Sequence, residues 1–136
     1  MDNQTIIKKD NGTAYIQDPL SKIVIGICYE IFNSIGPGVR EKYYEDAVEH
    51  KFKKRGVIYQ RQLKVDIKLD GEKIGFRRLD FLVEKRLVVE LKIGNYLSQA
   101  EFNQVKEYLK INNLKLGLII LFTTHGVRVR RVVNLS

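Results

Sequence analysis

Asp80, Glu90 and Lys92 lie inside RLDFLVEKRLVVELK, residues 78–92, the most strand-like stretch of the chain. A core strand would carry valine or leucine at those three positions. Buried charges cost several kcal/mol unless they are paired or bind a metal. The three charges therefore either sit at a solvated edge, as a cross-strand salt bridge involving Lys92, or do chemistry. The intervening Val88, Val89 and Leu91 argue for an interior strand and against the salt bridge.

Which chemistry depends on register. Glu90 and Lys92 share one face of their strand, because side chains alternate along it. If the connection between the strands is the three residues 84–86, Val83 faces Leu87 and Asp80 falls opposite Glu90. Opposed residues share a face with Cβ atoms about 4.5–5.5 Å apart. A two-residue turn would instead set Asp80 against Val89 and scatter the charges. The odd-length connection is the expected one, and it brings two carboxylates and an ammonium group onto one patch. Like charges so placed destabilise a sheet. Mg²⁺ would relieve this, since it takes one or two carboxylates together with waters and phosphate oxygens. A bound cation lowers the pKa of a coordinated water and neutralises charge developing on phosphate. Lys92 is placed to steer the attacking water or to stabilise a pentavalent transition state.

The elements that must position this patch follow from periodicity. Residues 1–18 are polar and aperiodic and predict a flexible arm, followed by a single domain over 19–136. Asp18-Pro19 starts a helix over 20–35, with Ile23, Ile27, Ile31 and Ile35 at spacing four and Val24 and Cys28 widening the stripe. Gly36-Pro37-Gly38 ends it. A second helix runs over 39–55, with Tyr44, Ala47, Val48 and Phe52 as its apolar stripe. From Val57 the period becomes two, and Asp70-Gly71 is a hairpin signal. Residues 57–92 therefore read as a three-stranded antiparallel meander. Ser98 with Glu101 forms a capping box opening a helix to about Asn112. LGLIILFTT then reads as a strand buried on both faces, and VRVRRVV as a last strand.

An acid on one strand and Glu-x-Lys on the next resembles the PD-(D/E)xK nuclease superfamily, with Leu79 standing where the name-giving proline would be. Gly38, Glu41 and Tyr44 add a G-x-x-E-x-x-Y stretch similar to the GxxExxY branch of that superfamily. The resemblance covers about residues 20–133. It implies an α/β, restriction-endonuclease-like core, a mixed sheet with the antiparallel meander flanked by helices. It also implies a metal-dependent nuclease holding Mg²⁺ or Mn²⁺ through Glu41, Asp80 and Glu90, with Lys92 assisting. Glu41 equally suits a first-turn acid that complements the helix dipole. Tyr44 is expected to pack and to use its hydroxyl in a hydrogen bond. Gln104 and Tyr108, at i and i+4 on one helix face, resemble the Q-x-x-x-Y motif of RecB-like nucleases. That likeness suggests Gln104 orients lysine, water or phosphate; otherwise it is exposed, with Tyr108 in the core.

Composition agrees with a nucleic-acid partner. The 136 residues carry 24 Lys and Arg against 16 Asp and Glu, a net charge of +8, with an isoelectric point near 9.6. Such a balance favours a polyanion. Lys54 at a helix end, Arg77 and Arg78 beside the patch, and Arg128, Arg130 and Arg131 on the last strand are the candidate backbone contacts. One cysteine excludes an intramolecular disulfide, and two histidines far apart argue against a Cys/His zinc site. Cys28 is expected in the core and His125 in a turn. The lack of an apolar leader or long apolar span predicts a cytoplasmic protein without membrane contact. The expected substrate is nucleic acid, DNA in the first instance and RNA as the variant, with a homodimer needed to cut both strands. The alternative is a member of the same fold that binds nucleic acid or protein without catalysis.

Overall fold

A computed structural model describes residues 4–8, 11 and 14–135. Its elements in chain order are β1 (Thr5–Lys8), β2 (Ala14–Gln17), α1 (Pro19–Ile35), α2 (Glu41–Arg55), β3 (Tyr59–Leu69), β4 (Glu72–Val83), β5 (Leu87–Ile93), α3 (Gln99–Ile111), β6 (Leu116–Phe122) and β7 (Val127–Val133). Strands β3 to β7 form one mixed sheet in sequence order, parallel only between β5 and β6. Helices α1 and α2 cover one face and α3 the other, so the expected α/β architecture and meander are present.

The two layers bury different sets of side chains. Val24, Ile27, Cys28 and Ile31 of α1 and Tyr44, Val48 and Phe52 of α2 pack on Phe81, Val89, Leu91, Leu118 and Ile120. The stripe of α1 thus centres on Val24 and Cys28, while Ile35 at its far end is exposed. Val105 and Leu109 of α3 pack on Val88, Ile119 and Leu121. Every residue of β6 is buried, as a strand covered on both faces must be. Gly117 lets α3 approach: a Cβ there would meet Cγ1 of Val105 at 2.7 Å.

The expected flexible arm over 1–18 falls in part outside the described residues, and the described strands Thr5–Lys8 and Ala14–Gln17 replace it where it is described. They form an antiparallel ribbon pairing Thr5 with Gln17 and Ile6 with Ile16. The short alternation around Ile6 and Ile16 is enough for a strand once Ile16 can bury itself fully against the core. Asp18 then caps α1, accepting the Leu20 N–H at 2.9 Å. Its carboxylate also receives Nε and one terminal nitrogen of Arg86 at 2.9 and 3.0 Å and the Gln4 amide at 2.9 Å. Burial pushes the Asp18 carboxyl up, but these donors outweigh it and hold the group below its ordinary range.

That contact anchors the turn on which the register depends. Residues 84–86 join β4 to β5 and Val83 pairs with Leu87, as the odd-length connection requires. Glu84 and Lys85 both adopt positive φ (50° and 59°), the Glu84 N–H donates to the Ile58 carbonyl, and Arg86 reaches Asp18. At the other end of β4, Asp70 and Gly71 turn with φ of 52° and 81°, matching the two left-handed positions of a tight hairpin.

The closeness of α3 to Gly117 gives a stability prediction. Gly117→Ala should cost about 1–3 kcal/mol by overpacking, and much of that cost should disappear when Val105→Ala is already present. Denaturant unfolding of the four proteins measures the coupling; additive losses would contradict the contact.

Candidate active site

The regular β4–β5 ladder runs only from Val83–Leu87 to Phe81–Val89. The next pair would be Asp80 and Glu90, and there the backbone bonds give way to side chains. The Asp80 N–H donates to Oε1 of Glu90 at 2.7 Å, and the Leu91 N–H donates to Oδ2 of Asp80 at 2.7 Å. Each carboxylate therefore holds the other strand's backbone. Beyond this point β4 leaves β5 and continues as a two-stranded ribbon with β3. The two acids are brought together as the register predicts, one step past the last ladder pair rather than within it.

The opening of the sheet has a local cause on β3. Gln62 has φ of 56° in the middle of the strand, a sparsely populated conformation for a residue with a Cβ. Pairing with β4 skips from Arg61–Phe81 to Leu63–Leu79. The two sides of this point face different layers: Phe81 packs under α1 and α2, Leu79 under α3. The Gln62 amide donates to Oε1 of Glu45 on α2 and lies 3.4 Å from Oδ1 of Asp80. The neighbouring Arg61 spreads its guanidinium over Glu45, Asp46 and Glu49 at 2.8, 2.6 and 2.9 Å. Neither Gln62, Glu45 nor Arg61 carries a spacing signal in the sequence. The only hint is four acids in the first nine residues of α2 with nothing local to neutralise them all.

Asp80 and Glu90 are each 8% exposed. Burial, and then the mutual repulsion with Glu90 and the more distant Glu45 and Glu41, pushes the Asp80 carboxyl well above the ordinary range. Burial likewise raises Glu90, opposed by the Asp80 N–H, Lys92 and Arg77. Oε2 of Glu90 takes no protein hydrogen bond among the described residues, and Oδ1 of Asp80 has only the long Gln62 contact. Two carboxylate oxygens are thus left facing a crowded negative site, a donor set that suits a hard divalent cation. Glu41, half-buried in the first turn of α2, adds its charge to both acids. It is not drawn into a closed cluster: among the described residues no three acidic, His or Cys side chains gather as metal ligands.

The other expected site residues divide. Lys92 is half-buried two residues beyond Glu90, and its charge lowers the Glu90 pKa. Arg77 stands on the α3 side of the ribbon and donates to the Gln104 carbonyl at 2.9 Å, close enough to feel Glu90. Gln104 is exposed, and its side chain joins Tyr108 along a cleft of about 830 Å³ between α3 and the ribbon. The cleft also takes in Arg77 and Lys64, so it runs beside the carboxylates without enclosing them. Tyr44 packs as expected, stacking on Phe122 with centroids 4.0 Å apart and donating its hydroxyl to the Gly36 carbonyl at 2.5 Å. Cys28 is buried, its thiol pushed up to about 12 by burial.

Two of the cations expected at the nucleic-acid surface, Lys54 and Arg131, lie away from the acid pair. Lys54 lies 13 residues from Glu41 along α2, about 20 Å at 1.5 Å per residue, and does not reach the site. Its neighbours Lys51 and Arg55 pair with Glu30 of α1. On β7, Arg128 and Arg130 lie in line with Lys92 and Glu90 across β6. Arg131 lies on the opposite face against Ser21, because adjacent strand residues cannot share a face. The arginines of β7 are therefore not one stripe.

The family comparison agrees with this architecture. The PD-(D/E)XK nuclease superfamily model matches residues 18–132, and the chain belongs to that superfamily, whose members are generally phosphodiesterases using divalent metal ions. The crystal structure of SSO0001 matches with a TM-score of 0.50 at 14% identity, covering 68% of this chain and 49% of that one. The likeness is one of fold, and this chain spans about half the length of that protein. A comparison with curated proteins returned no match.

The acid pair implies a pH-dependent cost. Unfolded Asp and Glu titrate near about 3.9 and 4.3, and both groups are raised in the folded state. The folded protein thus binds protons more tightly, so the penalty is absent below about pH 4 and grows as pH rises through the raised folded values. Asp80→Asn keeps an acceptor for the Leu91 N–H while removing the charge. It should stabilise the metal-free protein by about 1–3 kcal/mol at pH 8 and by little at pH 4. Unfolding curves at the two pH values test this, and an equal effect at both would refute the repulsion.

Proposed function

We propose that this chain is a metal-dependent phosphodiesterase acting on DNA. The observation that carries the reading is the pair of buried, mutually repelling carboxylates at the point where β4 leaves β5, with Lys92 beside them. Asp80 and Glu90 would hold Mg²⁺ or Mn²⁺ directly, and Glu41 would reach it through a water, since Mg²⁺ keeps several of its waters. The bound ion would supply a lowered water pKa and charge neutralisation at the phosphate. Lys92 orients the attacking water and stabilises negative charge on the phosphoryl oxygens. Arg77 holds a flanking phosphate near the mouth of the cleft, and Gln104 lines the path beyond it. Arg78 serves the ribbon face, and Arg128 and Arg130 extend the positive surface along the sheet row that contains Glu90 and Lys92.

Finer placement follows the same residues. The G-x-x-E-x-x-Y stretch supports the GxxExxY branch, with Tyr44 closing the α1–α2 connection and Glu41 one turn before it. A homodimer, pairing through the open edge of β7, would present two such sites to the two strands of a duplex.

The test is cleavage of duplex, single-stranded and branched DNA, with RNA alongside, in Mg²⁺ and Mn²⁺. Activity should require metal, and Asp80→Asn and Lys92→Ala should each lower the rate by about 10² or more. Calorimetry should show Mn²⁺ binding to the parent and its loss in a Glu90→Gln variant. Cleavage that survives both Asp80→Asn and Lys92→Ala would refute the assignment; preference for RNA would revise the substrate.

A further inference from the structure

The ribbon formed by β3 and β4 beyond Asp80 has one face turned away from α3, whose side chains belong to neither core cluster. Arg77 and Leu79 turn toward α3, so the alternating Phe76 and Arg78 face away from it. The register places Lys64 across from Arg78 and Asp66 across from Phe76. Phe76 is 44% exposed although it is a large aromatic residue. Three cations gather over its ring: Nζ of Lys64 at 4.8 Å, the Arg78 guanidinium carbon at 5.3 Å and Nζ of Lys73 at 5.9 Å. Among the described residues, only Lys73 of the three is partnered by an acid, Asp66 at 3.3 Å.

An exposed ring that only buried apolar surface would be served by neighbouring valines or leucines. Here its neighbours are long cationic side chains, whose stems lie over the ring while their charged ends remain in water. An aromatic platform set in a positively charged track is the combination that holds single-stranded nucleic acid, bases stacking on the ring and phosphates meeting the cations. The placement suits the carboxylate site as well. Phe76 lies four residue steps before Asp80 on β4, about 13 Å of strand, roughly four stacked nucleotides at about 3.4 Å each.

We propose that Phe76, flanked by Lys64 and Arg78, is a stacking platform for unpaired bases, and that the preferred substrate carries a single-stranded segment beside the scissile phosphate. This deepens the nuclease reading and rests on it for the word substrate, but its test does not need catalysis. Binding is measured without metal in an Asp80→Asn background, by anisotropy of a labelled oligothymidylate and of a blunt duplex of equal length. Phe76→Ala should weaken oligothymidylate binding about tenfold or more, leave the slope of log affinity against log salt unchanged, and barely affect the duplex. Phe76→Tyr should retain the parent affinity, and the thermal midpoint of each variant confirms folding.

Equal loss on both ligands, or no loss on either, would overturn the platform, as would failure of the Asp80→Asn protein to bind oligothymidylate. Concentration-dependent dimerisation abolished by Phe76→Ala would overturn it too, by showing that a second copy covers the ring. Cleavage of duplex by the parent, alongside any of these results, would leave the phosphodiesterase reading standing. Absence of cleavage with intact oligothymidylate binding would leave the platform standing instead.

Discussion

The separation of β4 from β5 at Asp80 is the constraint from which the rest of the molecule follows. An interior strand pair normally satisfies its backbone groups across the ladder, and leaving them unpaired in a buried place costs about 1–3 kcal/mol each. Here the Asp80 and Leu91 N–H groups are satisfied by Glu90 and Asp80 carboxylates. The sheet can open without orphaned donors only because acids occupy those two positions. The same substitution brings two negative charges together where water is scarce. Structure and the proposed chemistry thus share one origin, since the groups that permit the opening are also the groups between which the proposed cation would sit.

Holding that opening in place requires support from both sides. On one side the three-residue turn is fixed by Arg86 on Asp18, so any slip in register would break a bidentate pair at the start of α1. On the other, Gln62 takes a left-handed conformation inside a strand, an arrangement that costs on the order of 1–3 kcal/mol and persists only where surroundings determine it. Its surroundings do so: the amide is held by Glu45 and faces Asp80, while Arg61 binds Glu45, Asp46 and Glu49 of α2. The guanidinium is the counter-charge that lets α2 carry so many acids near a negatively charged site. Without it, Glu45 would join Asp80 and Glu90 as a third uncompensated charge.

Much of this was legible in the sequence because it depends on counting. The alternation in residues 78–92 and the odd turn length put Asp80 near Glu90, and Val127–Val133 and Leu116–Phe122 were clear from continuous strand character. What could not be counted was where a ladder stops. The alternation that places Asp80 opposite Glu90 says nothing of side chains replacing backbone acceptors. Nor does any local preference announce a positive φ at Gln62, since that conformation is imposed by Glu45 from another element. The ribbon of Thr5–Lys8 and Ala14–Gln17 was missed for a related reason: each strand is four residues long and gains its stability from burying Ile16, a tertiary effect. For Arg131 the alternation was available and decisive, and basic composition alone was the weaker guide.

The distribution of positive charge bears on how a polyanion could approach. Of the basic residues at the end of α2, Lys51 and Arg55 are tied to Glu30, so the charge there serves the packing of α1 against α2. The cations near the carboxylates come instead from strands: Lys92 and Arg77 at the opening, Lys64 and Arg78 along the ribbon, and Arg128 and Arg130 two strands across the sheet. Arg130 is partly committed, lying 5.5 Å from the Phe102 ring of α3. Helix α3 therefore divides the positive surface, with the ribbon and its cleft on one side and the edge of β7 on the other. A strand of nucleic acid lying along the ribbon would meet the acids at its inner end, where the backbone of the sheet opens. A strand approaching from β7 would have to pass α3 first. Because α3 covers Ile119 and Leu121 between β7 and Glu90, the ribbon would be the approach that does not cross that helix.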